Sequence, residues 1–107
     1  MEIINCQVAL QRAIEQHQIL IVQFGASDCG PCKAIQNKIK LWNLRCPDIY
    51  HVYISVEEMT ELCAQMGVFT VPTVFVYVEG RLTLRESGFF SLEQMLNKVE
   101  NYRSMLE

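Results

Sequence analysis

Cys29 and Cys32 are the residues whose type and spacing could do chemistry, because two cysteines three positions apart can close a disulfide or bind one metal ion. Gly30 between them permits a tight turn, and Pro31, with its fixed φ and no N–H, suits the first turn of a helix. Cys29 would then lie at the positive end of the helix dipole, which stabilises the thiolate that attacks disulfides. Cys32, about one turn later, would resolve the mixed disulfide.

The remaining cysteines do not extend this motif. The chain has five cysteines, an odd number that argues against a framework of paired structural disulfides. Cys6, Cys46 and Cys63 are isolated in sequence, and we interpret each as a small buried hydrophobic residue.

Length and composition predict one globular domain over residues 1–107, since half of the residues are hydrophobic and no Pro/Gly/Ser-rich linker interrupts them. The net charge is −3 and the nine lysines and arginines are scattered, which argues against nucleic acid as a partner. The first residues lack the pattern of a signal peptide, and no apolar run is long enough to span a membrane. These features predict a cytoplasmic protein that does not bind membranes.

The segments on either side of the motif must position it. Ile19–Phe24 is a nearly unbroken apolar run rich in β-branched residues, typical of a strand covered on both faces. A helical apolar pattern begins at Pro31, and Pro47 should end that helix. A strand that runs into a reactive turn and then a helix places the cysteines at the carboxyl end of a sheet, where open α/β folds keep their sites.

The rest of the chain alternates in the same manner. Before the first long strand, a short strand at Glu2–Ile4 and a helix capped by Asn5 are predicted. After the motif, the pattern predicts a strand at Tyr50–Ser55, a helix opened by a capping box at Ser55 and stopped by Gly67, a strand at Val74–Val78, a hairpin turn at Glu79–Gly80, a strand at Arg81–Ser87, and a closing helix capped by Ser91.

This order of elements resembles the thioredoxin family over nearly the whole chain. The residues that carry the likeness are Cys29-Gly30-Pro31-Cys32-Lys33, Val71-Pro72-Thr73, Gly80 and Gly88. The resemblance implies an α/β thioredoxin fold, with a central mixed β-sheet of four to five strands flanked by about four helices. It favours a redox pair over a metal site for the two cysteines.

The resemblance also implies roles around the cysteines. Pro72 should follow a cis peptide bond, lie against the two sulfurs and help to keep metal away from them. The backbone of Val71 should pair with an extended segment of the substrate, with Gly88 beside it. Gly25, Ala26, Phe69 and Phe89 should complete a small apolar docking surface, although the two phenylalanines could instead belong to the core.

Four positions depart from the family pattern. Gln23 replaces a buried Asp that takes the proton of the resolving thiol, and Tyr53 replaces the Lys that accompanies that Asp, which suggests that the pair was replaced together. Gly25 and Asp28 replace two tryptophans, and the loss of the first, at Gly25, should open room beside the disulfide. The charge of Asp28 opposes a Cys29 thiolate, whereas the helix terminus and Lys33 favour it.

Together these features predict a thiol-disulfide oxidoreductase that reduces or exchanges protein disulfides, as a monomer without cofactor or metal, renewed by a reductase of unknown type. One alternative is a binding or redox-sensing module of the same fold with little turnover, which the altered positions motivate. A second is a metal site in which Cys63 or a second chain completes the ligand set of Cys29 and Cys32.

Overall fold

The computed structural model describes residues 1–107, which form five strands and four helices. The strands are β1 (Glu2–Ile3), β2 (Ile19–Gly25), β3 (Tyr50–Ser55), β4 (Thr73–Val78) and β5 (Arg81–Ser87). The helices are α1 (Gln7–Gln16), α2 (Gly30–Asn43), α3 (Thr60–Gln65) and α4 (Leu92–Met105). Every element predicted from the sequence is present. None of the helices combines the length and the apolar character that a membrane crossing requires.

The five strands form one mixed sheet in the order β1-β3-β2-β4-β5. β1, β3 and β2 run parallel, β4 is antiparallel to β2, and β5 is antiparallel to β4. The turn between β4 and β5 is formed by Glu79 and Gly80, both with positive φ (53° and 79°), as a tight hairpin turn requires. This sheet and its four helices confirm the thioredoxin fold, including the hairpin predicted at its edge.

Each face of the sheet buries its own apolar cluster. On one face α1 and α3 cover β2 and β4 with the buried side chains Leu10, Ala13, Leu62, Cys63, Val22, Phe24 and Phe75. On the other face α2 and α4 cover the same strands with Ile39, Trp42, Met95, Leu96, Val99, Ile21, Val74 and Val76. Successive residues of a strand point to opposite faces, and both faces of the sheet are covered by helices. Every residue of β2 is therefore buried, which explains its nearly unbroken apolar run.

Helix α2 ends at Asn43, four residues before Pro47, which was predicted to stop it. The side-chain amide of Asn43 donates to the carbonyl oxygens of Cys46 (2.9 Å) and Ile49 (2.8 Å). These two bonds close the chain into a turn that leads to β3. The helix therefore ends at this turn and not at the proline.

The side-chain caps predicted for α1 and α3 are wrong. Cys6, not Asn5, is the N-cap of α1, and its side chain caps no N–H. Ser55 is the last residue of β3, and α3 starts five residues later with Met59 as an N-cap that also lacks a side-chain bond. Between them the chain turns, with the Met59 N–H donating to the Ser55 carbonyl at 2.9 Å. A capping-box pattern in the sequence here marks a turn at the end of a strand.

Three other predictions of local structure are confirmed. Ser91 caps α4, and its Oγ accepts the N–H of Gln94 at 3.1 Å. Gly67 follows α3 with a φ of 73°, a conformation that glycine adopts without strain. Trp42 is 5% exposed and packs in the cluster beneath α2 and α4, so it belongs to the core.

Candidate active site

Cys29 and Cys32 form a disulfide at the start of α2, with their Cα atoms 5.3 Å apart. Cys29, the N-cap residue, is half-buried, whereas Cys32 is 1% exposed. The backbone N–H of Cys32 donates to Cys29 Sγ at 3.2 Å. Since this N–H is among the donors that a helix start leaves free, it would also stabilise a Cys29 thiolate after reduction. Cys29 is therefore the more accessible of the two cysteines.

The charged neighbours of the motif lie in water. Gly30 and Pro31 open α2 as predicted, while Asp28 and Lys33 are both exposed. Neither charged side chain forms an ion pair or a side-chain hydrogen bond, since the only ion pair of the structure joins Arg103 to Asp48 at 2.9 Å. Water and salt screen exposed charges, so these two act weakly on the sulfurs compared with the helix terminus.

The carboxylate of Glu57, in the loop after β3, holds the turn that precedes Cys29. Glu57 accepts the backbone N–H of Ser27 at 2.7 Å and its hydroxyl at 3.1 Å. The N–H of Val56 donates to the Gly25 carbonyl at 3.0 Å, which extends the β2 to β3 pairing to the edge of the motif. This contact was not predicted from the sequence, because Ser27 and Glu57 are thirty positions apart in the chain.

The loop before β4 forms the opposite wall of the site. The Val71–Pro72 peptide bond is cis, as the resemblance implied, and Pro72 is buried. The Gly88 N–H donates to the Pro72 carbonyl at 2.9 Å, so the loops before β4 and after β5 are joined. Val71 is half-buried, and neither its N–H nor its C=O makes a hydrogen bond within the protein. An extended chain placed beside Val71 would therefore find a free donor and a free acceptor.

Apolar side chains are exposed around these loops. Phe69 is 79% exposed, and Phe89 is fully exposed. Pro31, Pro72 and Phe89 line one groove next to the disulfide. Both phenylalanines thus lie at the surface, which decides between the two placements that the sequence left open. Exposed aromatic rings of this kind are typical of interaction sites.

Gln23 lies under the inner cysteine and is completely buried. Its Nε2 donates to the Cys32 carbonyl at 2.7 Å, and its Oε1 lies 3.1 Å from Nε2 of His51. His51 is 2% exposed, and burial lowers its pKa to about 4, with smaller effects from the N-terminal amino group and Lys40. His51 was not predicted from the sequence as a site residue. The available signal was a polar residue in the strand next to Gln23, because both fall within otherwise apolar buried strands.

Tyr53 is the cross-strand neighbour of Gln23 on β3, and its ring packs against Gly25. A Cβ atom added at Gly25 would lie 2.9 Å from Cζ of Tyr53, closer than van der Waals contact. The expectation of open room beside the disulfide is therefore wrong, because the phenol ring of Tyr53 occupies the space that a side chain at position 25 would need. Burial, with a smaller effect of Glu57, raises the pKa of Tyr53, so the ring stays neutral.

The other cysteines lie apart from the disulfide. Cys46 and Cys63 are each 2% exposed, which confirms their prediction, and burial raises the pKa of both thiols. Cys6 is exposed, so its predicted burial is wrong; it precedes the first turn of α1, outside the apolar face. Cys63 packs on the α1 and α3 face, with the sheet between it and Cys32 on α2, and so cannot join the motif as a ligand. No group of three or more His, Cys, Asp or Glu side chains is placed to hold a metal ion.

Comparison with known proteins matches this geometry to one family. The family model described as Thioredoxin matches residues 3–101. The Thioredoxin-like protein YdfQ of Bacillus subtilis is 25% identical over 100 residues, which cover 94% of this chain and 89% of that protein. Thioredoxin-2 of Pyricularia oryzae is 34% identical over 68 residues, 64% of this chain and only 40% of that longer relative. The solution structure of oxidised thioredoxin from Plasmodium falciparum superposes with a TM-score of 0.82 and 26% identity, covering 92% of this chain and 97% of its own.

Proposed function

The chain belongs to the thioredoxin family of thiol-disulfide oxidoreductases, and from this premise we propose that it reduces or exchanges protein disulfides through Cys29 and Cys32. One observation carries the proposal: the disulfide lies at a helix N-terminus with its first sulfur half-exposed and its second buried. A helix N-terminus favours the thiolate form of the exposed sulfur. The buried sulfur is protected from partners until the first has reacted.

The reaction needs only the two sulfurs and the substrate disulfide. In the reduced protein, the Cys29 thiolate attacks one substrate sulfur, and the other substrate sulfur leaves as a thiolate that takes up a proton. The Cys32 thiol then loses its proton and attacks Cys29 Sγ. The Cys29–Cys32 bond forms as the bond to the substrate breaks, and the second substrate sulfur leaves in the same manner. Two electrons pass from the protein to the substrate, and no cofactor takes part.

The substrate segment proposed for this site is an extended, apolar stretch of polypeptide. The unbonded N–H and C=O of Val71 support pairing with a substrate backbone, an addition of one strand that requires little side-chain specificity. Pro72 and Gly88 shape the wall behind that segment, and the exposed rings of Phe69 and Phe89 offer it apolar contacts.

Partners and compartment are part of the same proposal. The exposed unpaired thiol of Cys6 suits a reducing compartment such as the cytoplasm, since exposed free thiols oxidise elsewhere. There the protein would act as a monomer and would be renewed by a reductase. The replacement of two tryptophans by Gly25 and Asp28 beside the disulfide suggests that this reductase recognises a surface different from that of ordinary thioredoxins.

The test uses turnover of a protein disulfide, with insulin as the model substrate and dithiothreitol as the electron source. Cys29→Ser should abolish catalysed reduction. Cys32→Ser, reduced beforehand and mixed with insulin after the dithiothreitol has been removed, should accumulate a covalent mixed disulfide visible on a non-reducing gel. Cys6→Ser is the matched control, because Cys6 is the other cysteine accessible to solvent and should leave the rate unchanged.

Reduction of insulin by Cys29→Ser at the wild-type rate would contradict the proposal. A wild-type pair that forms and reopens only over hours, while the protein binds one partner in both redox states, would favour the binding or sensing module instead.

A further inference from the structure

His51 and Gln23 form a buried polar pair under the redox site. Gln23 lies on β2 and His51 on the adjacent parallel strand β3. In the strand register Ile21 is opposite His51 and Gln23 is opposite Tyr53, so the two side chains are diagonal neighbours. Both side chains point to the face that α2 covers, and both are almost completely buried. A buried amide and imidazole must satisfy one another or a neighbouring backbone group, because no water competes for them.

The donor and the acceptor of each hydrogen bond in this pair can be assigned. The carbonyl of Cys32 can only accept, so the atom of Gln23 that faces it at 2.7 Å must be the NH2 nitrogen. The Gln23 oxygen then faces His51, and because this oxygen can only accept, Nε2 of His51 must carry the hydrogen. The remaining ring nitrogen, Nδ1, is an unprotonated acceptor without a partner.

The pair is neutral at neutral pH. Burial, with smaller effects of the positive N-terminal amino group and Lys40, lowers the pKa of His51 to about 4. No carboxylate forms a hydrogen bond with either member of the pair. The buried side of Cys32 therefore carries the positive end of an amide dipole and no negative charge.

We propose that His51 is a positioning residue for the dithiol: by holding the Gln23 oxygen, it keeps the NH2 group of the amide on the Cys32 carbonyl. The inference rests on the proposed function, since it concerns the step in which Cys32 attacks the mixed disulfide. In that step Cys32 gives up a proton and the departing partner sulfur gains one. Because the Gln23 amide presents a donor and no acceptor to Cys32, the proton leaves by a route that does not pass through Gln23, and the amide dipole stabilises the Cys32 thiolate that remains.

The experiment follows the reduced protein after mixing with an aromatic disulfide that releases a coloured thiolate, such as dithiobis(nitrobenzoate). The first release reports attack by Cys29, and the second reports attack by Cys32 on the mixed disulfide. His51→Leu should leave the first phase unchanged and raise the apparent pKa of the second by about half a unit, which slows it about threefold at neutral pH. His51→Gln keeps an N–H donor and should restore most of the wild-type rate. His17→Leu, which removes the only other histidine, is the control.

Each outcome separates this inference from the proposed function. A missing first phase would contradict the oxidoreductase itself. A normal first phase with a second phase that has the wild-type rate and pH profile in His51→Leu would overturn the role of His51, as would a His51→Gln variant no faster than His51→Leu. If His51→Leu does not fold, nitrogen-15 NMR of the wild-type imidazole decides. The proposal requires hydrogen on Nε2 in both redox states at neutral pH, and hydrogen on Nδ1 would refute it.

Discussion

The stability of this protein should fall as the pH is lowered from about 7 to about 5, mainly because of His51. Burial lowers the folded-state pKa of His51 from 6.5 to about 4, while the unfolded chain keeps the ordinary value. Between these two values the unfolded state binds a proton that the folded state excludes, so acidification favours unfolding. The stabilisation is complete above the unfolded pKa and is lost progressively down to the folded pKa. At about pH 5 the loss attributable to His51 is about 2 kcal/mol, at 1.36 kcal/mol per pKa unit.

Few other groups interfere in this range. The pKa of Asp48 is lowered from 3.8 by its hydrogen bond with Arg103, so its contribution is lost only at more acidic pH. The pKa values of Tyr50 and Tyr53 are raised above 10, so these phenols stay protonated throughout the acidic and neutral range. The pH dependence of stability between about pH 7 and 5 is therefore due mainly to His51.

The assay is urea unfolding at a series of pH values for the wild type, His51→Gln and His17→Gln. His51→Gln removes the titrating ring and keeps a donor for the Gln23 oxygen. Its free energy of unfolding should be lower than that of the wild type near neutral pH and nearly flat between about pH 7 and 5, whereas the wild type and His17→Gln should lose about 2 kcal/mol. Parallel curves for the wild type and His51→Gln would refute the reasoning, because they would show that His51 titrates alike in both states.

Three further substitutions test other contacts. Gly25→Ala should lower the free energy of unfolding by about 1 kcal/mol, because the new methyl group meets Tyr53, and urea titration should show that a Tyr53→Ser background removes this cost. Ser91→Ala should cost about 1 kcal/mol in the same assay by removing the N-cap of α4, whereas Ser104→Ala, exposed near the other end of that helix, should cost little. Phe89→Ala should change stability by less than about 0.5 kcal/mol, because its ring is fully exposed. It should nevertheless slow reduction of insulin more than reduction of a small disulfide, and equal slowing of both would contradict its role in docking.

The elements of this fold were predictable because their signals are local. The apolar run of β2, the hairpin residues Glu79 and Gly80, and the cap at Ser91 each depend on a few adjacent residues, and all three have the predicted structure. The cis bond before Pro72 is a different case, since only the family resemblance indicated it. The capping pattern at Ser55 did not predict the helix start, because the chain first makes a turn after β3 and α3 begins at Thr60.

The surroundings of the disulfide were less predictable, because they depend on which side chains meet across strands. Gln23 and Tyr53 are paired in register, yet the contacts pair Gln23 with His51 and Tyr53 with Gly25. The family resemblance suggested a joint replacement of Gln23 and Tyr53, and it did not indicate that these two side chains contact different residues. A lone histidine inside a strand gives no sign of its hydrogen-bond partner until the strand register is known.

The placement of Trp42 determines how this protein can be observed in solution. It is the only tryptophan of the chain and lies ten residues after Cys32 on α2, about 15 Å along the helix axis. Its ring is buried, and Nε1 donates to Glu100 at 3.2 Å. Emission from this indole therefore reports whether α2 and α4 are packed together, and a disulfide at that distance has little access to quench it. Fluorescence can follow unfolding of the oxidised and reduced forms on one common scale, whereas the redox change itself requires a thiol-specific signal.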